Sequence, residues 1–234
     1  MRISCMFLTA LILFFATSGY ALPQEDKLPA PIRNVRVTVL LDQILIYEKG
    51  RGELESEIRK IFENASSVFE KEFSITFSID AFTPWYAPYF DAEDLYQLSP
   101  YKEWDPRLVL SEIAQMGKNN SSDITIGIIH RTMYIHNELE IETPDGRKFL
   151  IETYEPYIGY ANANKNAAII VWGENSERVL THELGHLFYA GHTDDKSLMN
   201  ETNYWEDKVM YYDETNRQII MENRMRSFDK SLIP

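Results

Sequence analysis

The sequence predicts an α+β domain. Two observations carry that expectation. Apolar residues switch repeatedly between a period of two and a period of 3.6, giving the order β, α, β, α, β over the first half of the chain. The chain also has 234 residues, 44% hydrophobic and 25% charged, a length and composition suited to one globular core.

Val35 to Leu41 (VRVTVLL) has the β-branched alternation of a first strand. Glu53 to Phe73 then sets Leu54, Ile58, Ile61, Phe62, Ala65, Val68, Phe69 and Phe73 on one helical stripe, which predicts a long helix packed on a sheet. Ser74 to Phe82 returns to period two. Asp105 to Met116 carries Pro106 just inside a helix start, and Ser122 to His130 is a strongly apolar strand. Leu139 to Thr143 and Lys148 to Tyr154 flank Pro144-Asp145-Gly146-Arg147 and predict an inserted hairpin. Tyr157 to Ala163 is polar enough for an edge strand, whereas Ala167 to Trp172 is apolar on both faces and reads as a central one. A last helix spans Thr215 to Ser227, where Thr215 and Gln218 match a capping box.

Residues 1–21 have the parts of a secretory signal: Arg2, an apolar run to about Ala16, and Gly19-Tyr20-Ala21 at a cleavage spacing. The run is too short to span a bilayer comfortably, so the expected product is secreted or periplasmic and free of the membrane after cleavage. Residues 22–31, rich in proline and charge, read as an extended tail, leaving 32–234 as a single domain. Cys5 is the only cysteine and lies within the signal, so the mature chain depends on packing or metal and not on disulfides. The formal charge of −13 argues against a nucleic-acid partner. A monomer is the expected state.

Three of the five histidines fall in His182-Glu-Leu-Gly-His186-Leu-Phe-Tyr-Ala-Gly-His192. On a helix His182 and His186 lie one turn apart on one face, with Leu180, Leu184, Leu187 and Phe188 gathered on roughly the opposite side. A catalytic zinc takes three protein ligands and leaves a fourth position for water. His192, just past the helix, is the natural third ligand for one such ion. Glu183, beside the first ligand, is placed to act on the water as general base and then to hand its proton to the leaving amine. A structural zinc would usually be closed by a further Cys or His, and the mature chain offers no cysteine.

These residues, with His192-Thr-Asp-Asp-Lys-Ser-Leu-Met199-Asn after them, resemble the metzincin metallopeptidases, and most of all their matrixin-like branch. The resemblance implies a zincin-like fold: a twisted, mixed sheet with two long helices, an upper part over 32–192, and a small lower part over 193–234. It implies that Met199 forms a Met-turn that supports the zinc ligands without binding the metal. It also implies that the edge strand takes an extended peptide antiparallel, with Gly159, Tyr160 and Ala161 as main-chain contacts. Where the family has a glycine three residues after the second histidine, this chain has Tyr189. A tyrosine with positive φ is costly, so the helix is expected to run on and turn at Ala190-Gly191.

The function expected from the residues and the resemblance is that of an exported zinc endopeptidase acting on peptides or proteins. Two alternatives stay open at this stage: a zinc-containing protein that holds peptides without turnover, and a zinc hydrolase of a non-peptide amide. A glutamate, Glu201 or Glu206, in place of His192 as third ligand is a further, weaker option.

Overall fold

A computed structural model of the chain describes residues 31–87, 105–130, 132–201 and 209–232. The signal segment 1–21, all of the tail 22–31 but Pro31, and Glu206 lie outside these residues.

The central sheet has five strands in the order β2-β1-β3-β7-β6. β1 (Arg33–Asp42) runs parallel between β2 (Ile75–Trp85) and β3 (Ile124–Ile129), and β7 (Ala167–Val171) continues the parallel set beside β3. β6 (Gly159–Asn162) closes the sheet antiparallel to β7, with Gly159 opposite Ile170 and Asn162 opposite Ala167. The sheet is mixed, as expected, with the predicted edge strand at its end. β7 is interior to the sheet but lies next to that edge.

Both faces of the sheet are covered, and this explains the near-continuous apolar runs of β3 and β7. On one face Val35, Val37, Val39, Ile124, Ile126 and Ile170 pack against α2 (Arg51–Phe73) and α4 (Ser176–Leu187). The α2 contribution is the predicted stripe: Leu54, Ile58, Phe62, Ala65, Phe69 and Phe73 are buried, with Ile61 and Val68 at its margin. On the other face Leu40, Ile129, Ala167 and Ile169 meet Val109, Leu110, Ile113 and Ala114 of α3 (Pro106–Lys118). Asp105 caps α3, accepting the Arg107 N–H at 2.8 Å.

A short helix not expected from the sequence, α1 (Gln43–Lys49), follows β1. Asp42 builds it: one carboxylate oxygen accepts the Ile44 N–H at 3.0 Å and the other the His130 N–H at 3.0 Å. Seven residues are too few to show a helical period.

The inserted hairpin is longer than predicted. β4 (Met133–Glu142) and β5 (Lys148–Tyr157) pair antiparallel over ten residues each, apart from the main sheet. Its turn closes with Thr143 N–H donating to Arg147 C=O at 2.9 Å and Gly146 at φ +80°.

The final helix, α5 (Glu214–Asn223), is capped by Asp213, which accepts the Asn216 N–H at 3.0 Å. Thr215 and Gln218 satisfy the capping-box pattern but sit inside the helix. A carboxylate two residues earlier, already held by Ser197, takes the cap instead.

Candidate metal centre

α4 lies between the sheet and the cleft with almost every residue buried. Val179, Leu180, Leu184 and Leu187 join the core, which leaves His182, Glu183 and His186 on the remaining side. Gly185 is required where it stands. A Cβ there would lie 2.9 Å from Tyr212 Cε1 and 3.0 Å from Met199 Sδ, so the helix sits directly on both side chains. Tyr212 completes the contact by donating its hydroxyl to Thr181 C=O at 2.7 Å. Met199 is thus buried beneath the turn of α4 that joins the two histidines.

His182, His186 and His192 come together in space. Their Nε2 atoms are 3.0 Å (His182 to His186), 2.9 Å (His186 to His192) and 3.2 Å (His182 to His192) apart. Each ring is oriented from its far nitrogen. His182 Nδ1 donates to Leu198 C=O at 2.8 Å, His186 Nδ1 donates to Ala190 C=O at 2.7 Å, and His192 Nδ1 meets Glu201 Oε1 at 2.5 Å. A carbonyl only accepts, which puts the proton of the His182 and His186 rings on Nδ1 and leaves the Nε2 lone pairs bare. Burial, reinforced by the neighbouring histidines, holds His182 well below its usual pKa, and burial brings His186 down to about 4. Both rings are therefore neutral near pH 7.

Convergent lone pairs at this spacing form a donor set for a cation. Three nitrogens bound to one tetrahedral zinc at about 2.0–2.1 Å lie about 3.3–3.4 Å apart, slightly wider than the triangle found here. Among the described residues this is the cluster able to hold a metal. His130 is engaged elsewhere, 3.2 Å from Glu48, and the His136 side chain lies outside the description.

Glu183, 2% exposed, stands beside this triangle. Its Oε2 is buried and has no hydrogen-bond partner among the described residues. Burial, with a smaller push from the charge of Glu201, raises its pKa well above the usual carboxylate range. Its carboxyl group fits because residue 159 lacks a side chain. A Cβ on Gly159 would come within 2.3 Å of Glu183 Oε1 and 2.7 Å of Val179 Cγ1.

The histidines, Glu183 and the whole of β6 line one cleft of about 860 Å³. Gly159, Tyr160 and Ala161 lie on its rim as the terminal strand of the sheet, whose pairing with β7 uses only one edge.

The turn into His192 departs from expectation. α4 stops at Leu187, and Tyr189 itself takes the left-handed conformation, with φ +68°. Two backbone bonds define a Schellman ending: Ala190 N–H to Gly185 C=O at 3.1 Å and Tyr189 N–H to His186 C=O at 2.9 Å. The left-handed tyrosine costs about 1–2 kcal/mol, comparable to what two such bonds return at about 0.5–1.5 kcal/mol each. The same turn aims Ala190 C=O at His186 Nδ1, so shifting it would undo that ring's support.

Residues distant in sequence hold the third histidine and the Met199 segment. Asn216 grips the residue before His192 from both sides, accepting the Gly191 N–H at 2.8 Å and donating to Gly191 C=O at 3.0 Å. Asp213 accepts from the Asn216 amide at 2.7 Å and from the Ser197 hydroxyl at 3.0 Å, and Ser197 in turn accepts the Met199 N–H at 3.0 Å. No local pattern in the sequence marks Asp213 and Asn216 for this role. Glu201, considered above as a replacement for His192, instead lies behind it as the partner of its outer nitrogen.

The Reprolysin_5 family model, described as metallo-peptidase family M12, matches residues 32–227. No curated protein sequence matches the chain. Among solved structures, one described as a chaperone-substrate complex is similar with a TM-score of 0.54 at 11% identity, over 87% of this chain and 36% of its own. The chain thus spans about a third of that protein's length, and the likeness is one of fold. A zinc-dependent peptidase from Methanocorpusculum labreanum (strain Z) is similar over 79% of this chain and 99% of its own at 14% identity, with a TM-score of 0.46. With the family match covering most of the sequence, from the first strand past the last helix, the chain belongs to metallo-peptidase family M12.

Proposed function

We propose that the chain is an exported zinc endopeptidase of the metzincin type, with a matrixin-like Met-turn, in which His182, His186 and His192 bind one zinc ion and Glu183 is the general base. The observation that carries this is the set of three Nε2 atoms converging at 2.9–3.2 Å, with the outer nitrogens held by Leu198, Ala190 and Glu201. A zinc ion there supplies Lewis acidity, lowering the pKa of a water and polarising a carbonyl.

The remaining work falls to the chain's own residues. Glu183 Oε2, buried and unpartnered among the described residues, accepts the water's proton and can deliver it to the departing amine. Gly159 leaves the space in which that carboxyl group lies. β6 offers its other edge, unpaired among the described residues, to an extended polypeptide running antiparallel to it, which favours peptides over compact amides as substrates. Asn216 and Asp213 fix the approach of His192, and Met199 supports α4 from below. Export rests on residues 1–21.

The test is cleavage of casein by the mature protein and by Glu183→Gln, with zinc content measured for both. The proposal expects zinc in both and a loss of about a hundred- to ten-thousandfold in kcat for the variant, the range that a proton-transfer role typically contributes. A variant that cleaves at the normal rate overturns the role of Glu183.

A further inference from the structure

We propose that Tyr189 is a specificity-determining residue, forming one wall of the cleft against which an aliphatic or aromatic substrate side chain packs on the N-terminal side of the scissile bond. The inference rests on the peptidase reading above.

Tyr189 is a non-glycine residue in the left-handed region, at φ +68°, where the Schellman bonds of the turn are made by backbone atoms and require no side chain. Glycine would make the same turn without strain. The tyrosine side chain must therefore be explained by something other than the turn. It is 46% exposed and lines the cleft beside His186 and Ala190.

The ring's position is fixed from behind. Arg226 places its guanidinium carbon 4.7 Å from the ring centroid, covering one face. Arg226 is itself tied down, donating to Ala163 C=O at 2.8 Å, to Asn166 Oδ1 at 2.9 Å and to Leu187 C=O. Its two terminal nitrogens have these acceptors without the ring, while its buried Nε has no hydrogen-bond partner among the described residues. Because Arg226 touches both Tyr189 and Ala163, the ring lies toward the C-terminal end of β6, whereas Gly159 at the other end faces Glu183. A peptide antiparallel to β6 runs from Ala163 toward Gly159, so its N-terminal half passes Tyr189. A cation already on one face makes the ring a poor host for a second cation, which leaves aliphatic and aromatic groups as the partners it fits.

The experiment uses peptides in which a single Leu or Phe replaces Gly at each position before and after the cut. They are cleaved by wild type, Tyr189→Phe and Tyr189→Gly, with zinc content measured for each protein. The expected result is a preference, in kcat/KM, for the bulky residue at a position before the cut. Tyr189→Phe keeps this preference and Tyr189→Gly lowers it by roughly tenfold or more, the scale of one hydrophobic subsite. An unchanged preference in Tyr189→Gly, or a preference confined to positions after the cut, overturns the proposal while leaving the peptidase reading intact. A wild-type protein that cleaves none of the peptides overturns both.

Discussion

Replacing Asn216 by alanine removes three hydrogen bonds at once: the two that hold the Gly191 N–H and C=O, at 2.8 and 3.0 Å, and the one donated to Asp213 at 2.7 Å. Each such bond contributes about 0.5–1.5 kcal/mol net, and more where a group is left buried without a partner. Gly191 is exposed, so water can replace the lost partner there, whereas Asn216 itself is buried. The expected destabilisation is therefore about 2–3 kcal/mol. Because Gly191 precedes His192, part of that loss should appear as a poorer third ligand. Loss of a group supporting a ligand typically weakens metal binding about 10- to 100-fold. Urea denaturation of the metal-free variant measures the first effect, and competition for zinc against a chelator of known affinity measures the second. Asn216→Ala with unchanged zinc affinity would refute the idea that α5 positions His192, even if stability fell.

Other consequences can be checked the same way. Gly159→Ala places a methyl group 2.3 Å from Glu183 Oε1 and 2.7 Å from Val179 Cγ1, so peptide cleavage should fall at least about tenfold while zinc content is retained. Unchanged kcat would contradict the packing of Glu183 against β6. Glu201→Ala removes the partner of His192 Nδ1 and should weaken zinc binding by about tenfold, less than His192→Ala, as competition titration would show. Burial alone would raise the pKa of Asp213, but hydrogen bonds from the Asn216 side chain and N–H and the Ser197 hydroxyl outweigh it and hold the carboxylate below its ordinary value. A depressed folded-state pKa contributes stability that is complete above the unfolded value, near 4, and is lost as pH falls through the folded one. The difference in unfolding free energy between wild type and Asp213→Asn should accordingly be flat above about pH 5 and shrink below about pH 4. A difference that grows on acidification would reverse the assignment.

The parts of this protein legible in its sequence are those encoded by a short period or a fixed spacing. The α2 stripe from Leu54 to Phe73 was readable because every fourth or third residue is apolar and faces one sheet. β1 was readable from its β-branched alternation, and β3 and β7 because sheet positions covered on both sides favour apolar runs. The histidines were readable because two of them one helical turn apart, with a third just past the helix, leave a local signature. Contacts between distant segments left none. Asp213 reaches Ser197 and Asn216 reaches Gly191 only after the chain has folded back past α4. The same reason hid the role of Glu201 behind His192, the cap that Asp213 takes from Thr215, and α1, which depends on Asp42 meeting His130 across 88 residues. The turn at Tyr189 was misjudged on a sound premise. Its conformational cost is real, but the backbone bonds to Gly185 and His186 offset it.

The central claim is that three histidines hold a zinc ion that works with Glu183 to cut peptide bonds. The most direct test is the metal content of the purified mature protein together with its cleavage of casein before and after chelation, and after zinc is restored. The account predicts one zinc per chain, cleavage abolished by the chelator and recovered with zinc, and loss of the metal from His192→Ala. A protein that carries no zinc, or that cleaves equally well after the metal is removed, would contradict it.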